Sequence, residues 1–151
     1  MLGKFLSTKA VNLNVGLLLL RLGIGLSLLV FDGYDKMMGG PDQWRATGGA
    51  MGNLGISFLP VFWGFMGAFT EVAGSILLML GALFRPAAAL LAFYMFVAVL
   101  LHLNLPADSP SAGWSGASHA LELLVVYIAL ILTGPGSYAF RLIGKRDMKE
   151  G

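Results

Sequence analysis

The residues of this chain that could do chemistry are single ionisable side chains set inside long apolar stretches. One such residue lies in each of four stretches: Arg21 in 10–31, Glu71 in 59–84, His102 in 86–107 and Glu122 in 120–140. A charge placed in lipid costs about 2.5–3.5 kcal/mol on insertion scales. Such side chains occur where they bind a ligand, carry protons or pair with one another. The pattern indicates these roles.

The elements that must hold these residues are membrane helices. The chain of 151 residues is 57% hydrophobic and 12% charged, and about 20 apolar residues suffice for a helix to cross a bilayer. We therefore predict an all-α, integral membrane four-helix bundle that forms a single domain over 1–151. Glycine and proline breakers place the spans at about 14–38, 59–82, 86–104 and 117–133, with loops over 39–57 and 105–118.

Lysines and arginines indicate the orientation of the bundle. Lys4 and Lys9 precede the first span, Arg85 lies in the link between spans two and three, and four more follow the last span, against Lys36 and Arg45 on the other side. The positive-inside rule then places both termini on the cytoplasmic side of the membrane. The membrane that we predict is the plasma (inner) membrane. The amino end is similar to a secretory signal, but it lacks a cleavage pattern and is expected to remain as the first span.

Arg21 and Glu71 are predicted to form a buried ion pair. At 1.5 Å per residue, they lie about 12 Å and about 13 Å from the inner surface on consecutive antiparallel helices. Opposite charges at one depth neutralise each other. The alternative to a chemical role is that the pair only fixes the register of the helices.

A second group of polar residues is predicted at the outer end of the bundle. His102, His119 and Glu122 lie about 6, 3 and 7 Å below the outer surface, and Asp32 lies near it. With Lys36, one turn after Asp32, these residues are predicted to line a pocket for a ligand, such as a quinone, or for protons. The alternative is that Asp32 and His119 are solvated helix ends.

Other site chemistries have weaker support. Di-iron bundles use paired Glu-x-x-His motifs, whereas His119 and Glu122 give one reversed copy, so no metal site is predicted. The chain has no cysteine, which excludes disulfides and thiolate-held cofactors. Nucleic acid binding is not indicated, because the basic residues lie where topology requires them. Aromatic rows on spans two and three are typical of packing or lipid contact, with a slot for a flat ring as the alternative.

Several strings, in this order and spacing, resemble the DoxX family of four-helix membrane proteins: Leu20–Gly23, Asp32–Lys36, the Glu71 segment with Leu80–Ala88, His102 and Gly134–Tyr138. The resemblance implies a subunit associated with oxidoreductases, including the small subunit of thiosulfate:quinone oxidoreductase, and contact with quinone. It does not imply that this chain is itself an enzyme. The recurrent polar positions of the family match Arg21, Lys36, Glu71, Arg85 and His102.

Two functional hypotheses follow. The first is a membrane subunit of a redox assembly that contacts quinone or protons through the outer pocket. The second is a non-catalytic accessory subunit that packs against other membrane subunits or against itself. A small-molecule transporter ranks third, since four spans are few for one unless the chain oligomerises.

Overall fold

The computed structural model describes residues 12–140, which contain helices and no strand. Four helical spans within them are long and apolar enough to cross a membrane. Their bounds are Leu13–Met38, Pro60–Leu80, Phe84–Asn104 and Gly113–Thr133. The predicted all-helical class and the four apolar helices are thus confirmed. Both basic tails, 1–11 and 141–151, lie outside the described residues, so the predicted orientation stays a prediction.

The first span contains an irregular turn. Helix α1 (Leu13–Leu28) begins after Asn12, whose side chain accepts a hydrogen bond from the Val15 amide at 3.1 Å. A π-helical turn (Leu29–Gly33) then leads into α2 (Tyr34–Met38). Because a π-turn adds a residue to the helical turn, it changes which side chains face the neighbouring helices, and such turns are frequent at functional sites.

The remaining spans are regular helices. They are α4 (Pro60–Leu80), α5 (Phe84–Asn104) and α6 (Gly113–Thr133). Gly81, with φ of 72°, ends α4 and starts the turn into α5. We call this side of the bundle the hairpin end and the opposite side the loop end. A shared core contains Leu28, Leu78, Leu91, Tyr127 and Leu130.

The segment predicted as a loop over 39–57 is largely helical, so that prediction is wrong. It forms α3 (Gly40–Gly48) and a 3-10 helix (Gly49–Leu54). Pro41 is compatible with the first turn of α3, where no amide partner is needed. Tight packing of α3 on α4 stabilises a segment whose glycines suggest a loop, because Gly48 and Gly64 let the two backbones touch.

Gly64→Ala is expected to lower the free energy of unfolding by about 1–3 kcal/mol, as overpacking does. A methyl group at Gly64 would collide with the backbone of Trp44, which cannot move aside as a flexible side chain could. The matched control is Gly23→Ala, where no atom lies within 4 Å of the added methyl group. Thermal unfolding in one detergent compares the two variants, and equal losses would contradict this packing.

The last span starts earlier than predicted, at Gly113 instead of about 117. Glycines and serines over 113–118 are typical of a loop, yet here they make the first turns of α6. The Ser118 hydroxyl donates to the Ser115 carbonyl at 2.9 Å, within the helix. Gly116 lies against the backbone of Ser111, where no side chain would fit.

Candidate functional site

The centre of the site is a contact between Lys36 of the first span and Glu71 of α4. Lys36 Nζ donates to Glu71 Oε1 at 2.7 Å. The Glu71 side chain is fully buried, and that of Lys36 is 26% exposed. Asp32 Oδ1 lies 3.9 Å from the same ammonium group. One cation is thus shared by two carboxylates, a buried one and a half-buried one.

The elements around Lys36 fix its position. The π-turn directs Asp32 and Lys36 toward α4, and Gly33 lets the two helices approach beside Glu71 and Val72. Trp44 Nε1 of α3 donates to the Lys36 carbonyl at 2.8 Å. The ammonium group also lies 5.3 Å from the centre of the Tyr94 ring on α5, within the range of a cation–π contact. Four elements therefore meet at Lys36.

Arg21 is not the partner of Glu71. The predicted ion pair is wrong in its cation, because Lys36 pairs with Glu71 instead. Arg21 is fully buried and donates from Nη2 to the Tyr138 carbonyl at 2.7 Å. Its guanidinium carbon lies 6.0 Å from the centre of the Phe84 ring. Nε and Nη1 have no hydrogen-bond partner among the described residues. Arg21 thus connects α1 to the segment that follows α6.

The register of α1 explains this difference. Arg21 lies beside Gly81 at the hairpin end, Gly25 beside Ser75, and Gly33 beside Glu71. The first two turns of α1 therefore extend past the end of α4. The depths predicted from the sequence assumed that α1 and α4 end at the same membrane level. Hydropathy does not show the axial offset between the two helices. The overhanging turns contact the later chain, because Asn14 Oδ1 accepts from the Ser137 amide at 3.0 Å.

A cavity of about 110 Å³ opens beside the Lys36–Glu71 pair toward the loop end. We call it the polar cavity. Asp32, Lys36, His102 and His119 of the predicted pocket line it together with Glu71. A second cavity of similar volume, between α1 and α6, shares Asp32 and His119. The structure therefore brings four of the five predicted pocket residues together.

Glu122 is the exception, and its placement in the pocket is corrected. Its side chain is exposed and lines neither cavity. Although His119 and Glu122 are three residues apart, they are about 60° apart around the helix axis, as follows from 3.6 residues per turn. His119 lies at the edge that meets the cavities, and this rotation takes Glu122 away from them.

His102 is held by the loop that it faces. Its Nδ1 lies 2.8 Å from the Ser111 carbonyl, and since a carbonyl only accepts, Nδ1 carries the proton. This contact fixes the ring and leaves Nε2 as the second polar atom of the imidazole. Within residues 12–140, no three His, Asp or Glu side chains form a group that could hold a metal ion.

A larger, mainly apolar groove of about 270 Å³ lies on the other side of Tyr94. It runs between α3, α4 and α5, and we call it the apolar groove. Tyr94 lines both this groove and the polar cavity. Tyr94 belongs to the aromatic row of span three but is not among the site residues predicted from the sequence. The sequence could have indicated Tyr94, because it brings a single hydroxyl group into an otherwise apolar span. Other groove residues include Met51, Trp63, Gly67, Thr70, Phe93 and Val97.

Comparison with known families identifies the family of the chain. A sequence model described as DoxX matches residues 16–103, more than half of the chain, and covers Arg21, Lys36, Glu71, Tyr94 and His102. The chain belongs to the DoxX family. No curated protein and no solved structure matches the sequence. For this DoxX protein the family therefore supports a multi-pass membrane protein, and its chemistry must be inferred from the site.

Proposed function

We propose that this DoxX protein is a single-domain membrane subunit of an oxidoreductase assembly and that it binds a quinone between the polar cavity and the apolar groove. The observation that carries the proposal is Tyr94, which lines both spaces. A quinone combines a ring bearing two carbonyl oxygens with a long apolar tail. A polar space and an apolar space that share one wall fit such a molecule.

The side chains suit each part of the quinone. The ammonium group of Lys36 and the hydroxyl of Tyr94 are hydrogen-bond donors for a carbonyl oxygen. Met51, Phe93 and Val97 offer the apolar surface that the tail requires. Reduction of a quinone to a quinol takes up two electrons and two protons. A partner subunit would deliver the electrons, and Asp32, Glu71 and His119 would pass protons from the loop end.

The orientation is part of the proposal. The four lysines and arginines of the carboxyl tail, the two of the amino tail and Arg85 all belong to the hairpin end by sequence. Under the positive-inside rule, this end faces the cytoplasm of a plasma membrane, and the polar cavity opens to the other side. Protons taken up on quinone reduction would then come from that outer side.

A second candidate is a non-catalytic accessory subunit that packs against other membrane subunits. The observation that favours it is the close Lys36–Glu71 contact, which already joins the first span to α4 and so has a structural role without any ligand. Under this hypothesis the polar side chains hold the bundle together, and exposed helix faces meet the partner subunits.

A binding titration tests the first candidate. A short-tailed quinone is added to the protein in lipid nanodiscs, and quenching of tryptophan fluorescence is followed, since Trp63 lines the groove. Saturable quenching is expected. Replacing the pair as Lys36→Met with Glu71→Leu should weaken binding at least about tenfold, because a hydrogen bond from a charged donor is lost.

The matched control removes another acid–base pair. Arg45 and Asp42 of α3 lie 3.9 Å apart and are exposed, so Arg45→Met with Asp42→Leu should leave quinone affinity within about twofold, as is usual for an exposed pair. If wild-type protein shows no saturable binding, or if both paired variants bind equally well, the quinone proposal is wrong and the accessory role is favoured.

A further inference from the structure

Three side-chain oxygen atoms inside the bundle have no hydrogen-bond partner among the described residues. They are Oε2 of Glu71 and the hydroxyl groups of Ser75 and Tyr127. All three side chains are fully buried. A buried polar group without a partner costs free energy, because nothing replaces the water that it loses on folding. Buried polar groups are therefore nearly always bonded to protein or to ordered water, and these three oxygens need a common explanation.

The three oxygens belong to one region of the bundle. Ser75 lies one turn after Glu71 on the same face of α4, and its side chain leans back toward Glu71, as side chains in helices do. Tyr127 reaches the region from α6, and its hydroxyl is close enough to Glu71 and Asp32 for their charges to act on it. None of the three oxygens bonds directly to another. Where neighbouring polar groups are too far apart for direct contact, a water molecule commonly bridges them.

We propose that Glu71, Ser75 and Tyr127 bind an internal water molecule. A buried water typically makes about three hydrogen bonds to groups that have no other partner, and this site offers three such groups. The water donates to the Glu71 carboxylate and accepts from the two hydroxyls. A metal cation fits the site less well, because the Lys36 ammonium group already lies 2.7 Å from the other oxygen of the same carboxylate and repels a second positive charge.

Apolar side chains close the water site toward the hairpin end. Leu78 lies one turn beyond Ser75 on α4, and Leu130 lies one turn beyond Tyr127 on α6. Both leucines are buried in the shared core. On the other side, Glu71 lines the polar cavity, so water reaches the site from there. The role of the water rests on the proposed function: it extends the proton path of the polar cavity past Glu71 and ends it at Tyr127.

Hydroxyl-radical footprinting of the protein in lipid nanodiscs, without quinone, tests the water site. X-ray pulses convert water to hydroxyl radicals, which oxidise the side chains next to a bound water even inside a protein. We expect oxidation of Tyr127, although its side chain has no exposed surface. A wild-type protein in which Tyr127 is not oxidised would overturn the proposal.

A paired variant shows whether the oxidation depends on the site. Lys36→Met with Glu71→Leu removes the charged acceptor of the water and leaves no uncompensated charge. Oxidation of Tyr127 should then fall at least about fivefold, because a hydrogen bond to a charged group is lost. The control, Arg45→Met with Asp42→Leu, removes an exposed pair and should leave the oxidation unchanged.

Equal oxidation of Tyr127 in the two paired variants would also overturn the proposal, since the radicals would then come from water elsewhere. Failure of the quinone proposal looks different. A protein that binds no quinone but shows the expected oxidation pattern keeps the water site, and only its role in a proton path is lost.

Tyr127→Phe provides a second test, because a bonded and an unbonded hydroxyl predict changes of opposite sign. If the hydroxyl bonds to water, its removal should raise the equilibrium constant of unfolding about fivefold, the usual effect of one hydrogen bond. A hydroxyl without any partner would instead make phenylalanine the more stable residue. Tyr34→Phe is the matched control, since Tyr34 is 59% exposed and should tolerate the change. A Tyr127→Phe protein as stable as the wild type, or more stable, would contradict the water site.

Discussion

Glu71→Leu is expected to lower the free energy of unfolding by about 3–5 kcal/mol, the usual loss when one partner of a buried ion pair is removed. The substitution leaves Lys36 with its ammonium group in a largely buried position, 5.3 Å from the Tyr94 ring centre and 3.9 Å from Asp32. Asp32 is half-buried and too distant for a good hydrogen bond, so it compensates only in part. Unfolding by SDS in lipid–detergent bicelles measures the change.

A second substitution identifies the cation that Glu71 needs. Lys36→Met together with Glu71→Leu should recover most of the loss, because the uncompensated charge is gone and apolar groups fill its place. Arg21→Met together with Glu71→Leu should recover none of it, since Arg21 lies beside Gly81 and not beside Glu71. Recovery with Arg21→Met instead of Lys36→Met would restore the ion pair predicted from the sequence and contradict the structure.

Arg21→Ala is expected to cost about 2–5 kcal/mol, as truncation of a large buried side chain does. Arg21 is fully buried, beside Gly81 and near the Phe84 ring. Its removal leaves a cavity and frees the Tyr138 carbonyl. Arg21→Met fills most of the same space without a charge, so it should cost clearly less.

Hydrogen exchange locates the effect of Arg21→Ala. The segment after α6 is fixed at two amides, since Phe140 donates to the Leu80 carbonyl at 2.8 Å and Ser137 donates to Asn14. In Arg21→Ala these amides should exchange faster, while those around Glu71 keep their protection. Faster exchange around Glu71 with no change at 137–140 would show that Arg21 supports the site and not this segment.

Hydropathy predicts most of the fold but not the register of the helices. Four spans follow from long apolar stretches between glycine and proline breakers, because lipid requires about 20 apolar residues in each. The axial offset of α1 against α4 depends on side-chain packing, such as Gly25 on Ser75 and Gly33 on Glu71. A depth counted from the ends of the spans misses this offset, and Arg21 was therefore matched with Glu71 in place of Lys36.

The residues of the site were more predictable from the sequence than their geometry. Asp32, Lys36, His102 and His119 meet as the depth argument predicts, since their spans end at the same side. Glu122 does not join them, because a rotation of about 60° around α6 separates it from His119. The apolar groove was not predictable, because it depends on α3, which composition alone presents as a glycine-rich loop.

The central claim is that a quinone ring lies at Tyr94, between the polar cavity and the apolar groove. A photoreactive azidoquinone, activated in membranes and located by peptide mass spectrometry, tests this claim most directly. We expect labelling beside the ring, on α5 residues that line the polar cavity such as Tyr94 and Met95, and suppression of that labelling by excess unmodified quinone. Labelling confined to outer faces such as Leu19 and Leu132, or labelling that excess quinone does not reduce, would contradict it.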